Sequence, residues 1–122
     1  MSTVLIVDDD QDIRDNYKKM FNENGINYFE AAEALTVSEI LMRNKSDIDL
    51  VVLDLQIAEV DGRDIYQIVH EYAPNIPVIV SSVLPIADQK LKISTARDYF
   101  NKKDDFSGLL KKVKTVLGIG EG

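Results

Sequence analysis

The residues best equipped for chemistry in this 122-residue chain follow its most apolar runs. Residues 4–7 (VLIV) lead straight into Asp8, Asp9 and Asp10, and residues 50–53 (LVVL) lead into Asp54. The run VIVSSV, residues 78–83, holds Ser81 and Ser82, and DYFNK, residues 98–102, ends in Lys102. A buried strand gains nothing from three consecutive negative charges at its end. Two carboxylates ~4 Å apart at an effective dielectric of ~20 repel by on the order of 4 kcal/mol. A divalent cation reverses the sign of that energy. An all-oxygen site with few protein donors suits Mg²⁺, which keeps several waters and recruits phosphate oxygens. A carboxylate beside such an ion can act as a nucleophile and form an aspartyl phosphate. A lysine would balance the incoming phosphoryl charge, and a hydroxyl would hydrogen-bond one of its oxygens. The residue types point to phosphoryl transfer onto a carboxylate.

For these side chains to meet, the apolar runs must be neighbouring strands. The alternation of patterns supplies that. Residues 10–24 carry Ile13, Tyr17, Met20 and Phe21 at helical spacing, and Gly25 supplies a helix stop. A weak strand is predicted over 26–31 and a helix over 34–44. The continuous apolar run 50–53 reads as a strand covered on both faces. Asp61-Gly62 forms a turn and helix-cap pair, followed by a helix with Ile65, Ile68 and Val69 inward. Pro74 and Pro77 bracket a break before the fourth strand; a short helix near 87–95, a fifth strand at 98–102 and a helix over 106–117 complete the pattern. Five strands alternating with five helices imply an α/β domain with a parallel sheet and right-handed crossovers. Such sheets bind ligands beyond the carboxyl ends of their strands, where strand order reverses.

Bulk properties exclude several classes. The length suits one domain, 1–122, with 118–122 (GIGEG) expected to form a flexible tail or linker stub. With no cysteine, neither a disulfide framework nor a thiolate metal site is possible. A formal net charge of -7 argues against nucleic-acid binding, which needs basic surface to displace counterions. No apolar run approaches the ~20 residues of a membrane span, and the first residues lack signal-peptide zones. A cytoplasmic domain without membrane association is the expectation.

Four segments, VLIVDDDQDIR, DLVVLDLQIAEVDG, IPVIVSSV and ARDYFNK, together resemble the receiver domains of two-component response regulators over nearly the whole chain. The resemblance implies a flavodoxin-like three-layer sandwich, with a five-stranded parallel sheet of order 2-1-3-4-5 and five helices on its two faces. It further implies Asp8 and Asp9 as the metal-binding pair, Asp54 as phospho-acceptor, and the Gln56 backbone carbonyl as a further Mg²⁺ ligand. Ser82 becomes the switch hydroxyl, Lys102 the phosphate-pairing lysine and Tyr99 the switch aromatic. The implied partners are a sensor histidine kinase or histidine phosphotransfer protein and a downstream output domain or protein. The implied role is that of a signalling phosphoprotein in a phosphorelay, which takes part in its own phosphotransfer and slow dephosphorylation rather than turning over substrate.

More ordinary readings compete at each position. Asp8 to Asp10 could cap the first helix, although one aspartate suffices for that and Asp10 is best placed for it. Ser82 and Tyr99 could be core residues, and His70 reads as solvated surface. A haloacid-dehalogenase-like phosphohydrolase would also use an aspartyl phosphate and Mg²⁺, but would want an aspartate where Gln56 stands. The chain departs from the family pattern at Ala58, at Val83 beside the switch hydroxyl, and at Lys103, where proline is usual; Pro85 should also confine a shortened fourth helix. In the family the bond after the pairing lysine is usually cis. Without proline the cis form costs ~2.5–4 kcal/mol. Because Lys102 is needed to balance three carboxylates, a cis Lys102–Lys103 bond is the expectation.

Overall fold

The computed structural model of the chain describes residues 1–57 and 60–120. Among the described residues, seven strands are formed: β1 (Thr3–Val7), β2 (Asn27–Ala31), β3 (Leu50–Leu53), β4 (Gln56–Ile57), β5 (Val60–Asp61), β6 (Val78–Ser82) and β7 (Asp98–Asn101). The helices are α1 (Gln11–Glu23), α2 (Ala34–Asn44), α3 (Gly62–Tyr72), α4 (Ile86–Lys92) and α5 (Phe106–Leu117), with a 3₁₀ turn at Lys45–Asp47. The main sheet is parallel, in the order β2-β1-β3-β6-β7. Setting aside the two-residue strands β4 and β5, which pair only with each other, this is the expected 2-1-3-4-5 order.

Each central strand feeds two cores, so its sequence is apolar without alternation. Leu5 and Val7 of β1 face a layer built by Val37 and Leu41 of α2 and Ile65 and Val69 of α3. Val4 and Ile6 face Tyr17 and Phe21 of α1 and Leu109 and Val113 of α5. These four of the five β1 residues are at most 1% exposed; burying each contributes roughly 1.5–3 kcal/mol. Charge at the end of such a strand must therefore emerge at the rim of the sheet.

Local chemistry sets the helix ends. The Asp10 carboxylate accepts from the Asp12 and Ile13 amides and caps α1, as expected of it. Gly25, at φ +67°, lets the chain leave α1 in the left-handed region. Gly62 has a different reason to lack a side chain. Its amide donates to the Leu55 carbonyl at 2.6 Å, and a Cβ there would lie 2.5 Å from Leu55 Cα.

The fourth helix is shorter than the sequence spacing suggests, ending at Lys92 rather than near 95. Ile93 instead turns into the core at 4% exposure. At the other end of the chain, Gly118 closes α5 at φ +70° and Ile119 packs against the α1–α5 core. The last two residues of the expected tail, 121–122, and the departure noted at Ala58 lie outside the described residues.

Candidate functional site

The strand register brings the polar ends together. Val7 of β1 pairs with Leu53 of β3, so Asp8 and Asp54 leave adjacent strands at the same level. The Asp54 amide donates to the Val7 carbonyl at 2.9 Å, and the Asp8 amide to the Ala31 carbonyl at 3.1 Å, carrying the ladder one step beyond the strands. Asp8, Asp9 and Asp54 each offer a carboxylate oxygen within 4.8 Å of the others. This acidic, all-oxygen donor set fits a divalent cation of the hard type.

Asp8 is the most enclosed of the three, at 2% exposure. Its Oδ1 accepts from the Asp10 amide at 3.0 Å and its Oδ2 from Lys102 Nζ at 2.5 Å. Lys102 reaches in from the end of β7, with Asp54 Oδ2 3.4 Å away. Burial pushes the Asp54 carboxyl up to about 6. Lys102 opposes that shift, the Asp8 charge adds to it, and the Gln56 amide opposes it by a hydrogen bond to the carboxylate. Three acids, Asp8, Asp9 and Asp54, against the one ammonium of Lys102 leave the site short of positive charge.

Ser82 ends β6 at 4% exposure and faces the same cleft, of about 720 Å³, as Asp9, Asp54 and Lys102. Its Oγ accepts from the Leu84 amide at 3.2 Å. Gln56 and Val83 line this cleft too. Tyr99 lies apart from it. The ring is 6% exposed, and its hydroxyl donates to the Ile93 carbonyl at 2.5 Å, just past α4. The aromatic is already turned inward in this structure.

The expectation of a cis Lys102–Lys103 bond is overturned: among the described residues every peptide bond is trans. The chain turns by another device. Asn101 Oδ1 accepts from the Lys103 amide at 2.9 Å, and the Asn101 carbonyl accepts from the Asp104 amide at 2.9 Å. A side-chain turn thus does the work assigned to proline.

Three further residues were not evident from the sequence. Arg14, at 8% exposure, donates to the Asp8 carbonyl at 2.8 Å, to Glu30 at 3.0 Å and to Gln11 at 2.7 Å. The signal was present: Arg14 lies three and seven residues before Tyr17 and Phe21, on the buried face of α1. Asn101 is the second. Gln89, fully buried on α4, is the third: its Nε2 contacts the carbonyls of Leu84 at 2.8 Å, Phe100 at 2.9 Å and Ser82 at 3.4 Å, and its Oε1 has no hydrogen-bond partner among the described residues. Nothing in its spacing separates it from the exposed residues of the same short helix.

A second cavity, of about 500 Å³, lies between α3 and the approach to β7, lined by Tyr66, His70, Thr95 and Arg97 among others. No carboxylate lines it, and His70 is an exposed residue stacked on Tyr66.

Residues 4–114 match the family model described as the response regulator receiver domain. Sporulation initiation phosphotransferase F of Bacillus subtilis is 33% identical, over 95% of this chain and 94% of the relative. The probable transcriptional regulatory protein SilR of Salmonella typhimurium is 30% identical over 96% of this chain, which spans only 51% of that protein. Among solved structures, the CheX–CheY–BeF3–Mg2+ complex of Borrelia burgdorferi contains a chain that superposes with a TM-score of 0.85. It is 26% identical, and the match covers 95% of this chain and 89% of that one.

Proposed function

Because the chain belongs to the response regulator receiver family, we propose that Asp54 accepts a phosphoryl group from a partner phosphohistidine and that the change is relayed as a conformational signal. Receiver domains are signalling modules, and this chain is one. The observation that carries the acceptor assignment is the meeting of Asp8, Asp9 and Asp54 within 4.8 Å of one another, with Lys102 bridging two of them.

Asp8, Asp9 and Asp54 would hold Mg²⁺, with the Gln56 carbonyl completing the protein's share of the shell. The bound ion would neutralise acidic charge and orient phosphoryl oxygens. An Asp54 oxygen forms the new bond to phosphorus as the P–N bond of the phosphohistidine breaks; the electron pair returns to the imidazole. Lys102 then has a new anion to pair with, and Ser82 a new acceptor to bond. The buried Asp8 stays fixed by Arg14 from behind, through its carbonyl. Tyr99 reports the movement of Ser82 through α4.

The partner is a sensor kinase or a histidine phosphotransfer protein, and the output is a further domain or protein. SilR, of twice the length, is named as a transcriptional regulator, so an attached or separate output of that type is one form. No helix among the described residues is long and apolar enough to cross a membrane. A phosphohydrolase of the haloacid-dehalogenase type lacks support: the side chain two residues past Asp54 is an exposed amide, Gln56.

Intact-mass measurement with acetyl phosphate tests the assignment. One phosphoryl group should be added, only with a divalent metal present, and none to Asp54→Asn. Addition that persists in that variant would place the acceptor elsewhere.

A further inference from the structure

We infer that Asn101 is a positioning residue for Lys102, and that its side-chain turn selects which of two consecutive lysines enters the acidic site. The inference rests on the reading of Lys102 as the lysine that pairs with the phosphoryl group.

The stretch NKKDDF offers two ammonium groups one residue apart. Lys102 has its side chain 8% exposed and reaches Asp8 and Asp54, whereas Lys103 is exposed. The side chains are equal in length and charge, so the backbone makes the choice. Asn101 closes β7 opposite Ser82. The Lys102 amide donates to the Ser82 carbonyl at 2.8 Å, extending the ladder by one bond. The Asn101 carboxamide then captures the Lys103 amide and its carbonyl captures the Asp104 amide, so the chain reverses over Lys102. Asparagine and aspartate favour this turn because a short side chain can imitate the next peptide carbonyl.

Both flanks of the turn are fixed. Phe100 before it is buried and meets Phe106 after it edge-on, centroids 6.1 Å apart, while Asp105 caps α5 through the Ser107 amide. Between these anchors the direction of Lys102 depends on the closure made by Asn101. A lysine side chain is flexible and carries considerable rotamer entropy; its placement in the site relies on a backbone that points it there. Errors of about 1 Å in such placement cost up to ~100-fold in rate.

Phosphorylation of the full chain by acetyl phosphate, followed by intact mass, tests this with four variants. Asn101→Ala should slow acceptance about tenfold, and Asn101→Asp, which keeps the acceptor for the Lys103 amide, should stay within about threefold of the parent. In a Lys102→Met background, Asn101→Ala should have no further effect, because the lysine it positions is gone. A parent-like rate in Asn101→Ala, an alanine-like rate in Asn101→Asp, or multiplicative losses in the double variant would each overturn the inference. Should Lys102→Met itself react at the parent rate, the reading of Lys102 fails instead. The ¹⁵N resonance of the Lys102 ammonium then decides for Asn101: altered in Asn101→Ala if the turn positions the lysine, unchanged if it does not.

Discussion

The Lys102 ammonium lies closer to Asp8, at 2.5 Å, than to Asp54, at 3.4 Å. The lysine that should pair with a phosphoryl group is thus held by an aspartate proposed to bind metal. Cation and ammonium compete for one carboxylate. Lys102→Met should accordingly tighten Mg²⁺ binding, by about three- to tenfold, while weakening the response to phosphorylation. A calorimetric or NMR titration with Mg²⁺ alone measures the first effect. Unchanged or weaker binding would show that Lys102 does not oppose the ion.

Asp54 should make the fold less stable at neutral pH than a neutral side chain would. Its carboxyl is raised from 3.8 to about 6 by burial, so the folded state holds the proton more tightly than the unfolded chain. Stability contributed by the protonated form is fully present below pH ~4 and is lost as pH rises through about 6. Asp54→Asn removes that loss. It should stabilise the metal-free protein above pH 7 by at most about 3 kcal/mol, and by little at pH 4. Urea unfolding at the two pH values, without divalent metal, checks both limits.

Two glycines should respond differently to alanine. At Gly62 the new Cβ would meet Leu55 backbone at 2.5 Å, next to Asp54. The clash should cost about 2–3 kcal/mol and also slow phosphoryl acceptance, since Leu55 must shift. At Gly25 no atom lies within 4 Å and only the positive φ resists, so the cost should be about 1 kcal/mol with acceptance unaltered. Equal losses at the two positions would contradict the steric explanation.

Ser82→Ala should leave phosphoryl acceptance largely intact, because Asp54 and the acidic pair are untouched. The Leu84 amide loses its acceptor, Ser82 Oγ, at a cost of about 1 kcal/mol. NMR shifts around Tyr99 on phosphorylation should shrink, as the hydroxyl that ties the site to the loop leading into α4 is gone. Full-sized shifts at Tyr99 would mean that the signal bypasses Ser82.

Legibility in the sequence followed the physics of each residue. The strands β1 and β3 were readable because burial on both faces demands unbroken apolar runs, and α1 and α3 because Tyr17 and Phe21, and Ile65 and Val69, recur at helical spacing. Asp8, Asp9, Asp54 and Lys102 were found as the polar residues at strand ends. The two-residue strands β4 and β5 were not, since four residues carry no periodicity. Asn101 was overlooked because a missing proline at Lys103 says nothing of what else could turn the chain. Arg14 and Gln89 were missed for a shared reason: a buried polar residue is licensed by partners distant in sequence, such as Glu30 for Arg14 and Phe100 for Gln89.

The unpaired Oε1 of Gln89 bears on how α4 is held. Seven residues make barely two turns, too few to persist alone. Pro85 at the head of the helix provides no side-chain cap. What seats it is one amide nitrogen beneath it, reaching three carbonyls, while the oxygen of the same amide has no hydrogen-bond partner among the described residues. Gln89 is therefore the link between α4 and the sheet: it spans the Ser82 and Phe100 carbonyls of the neighbouring strands β6 and β7 and the Leu84 carbonyl that precedes the helix.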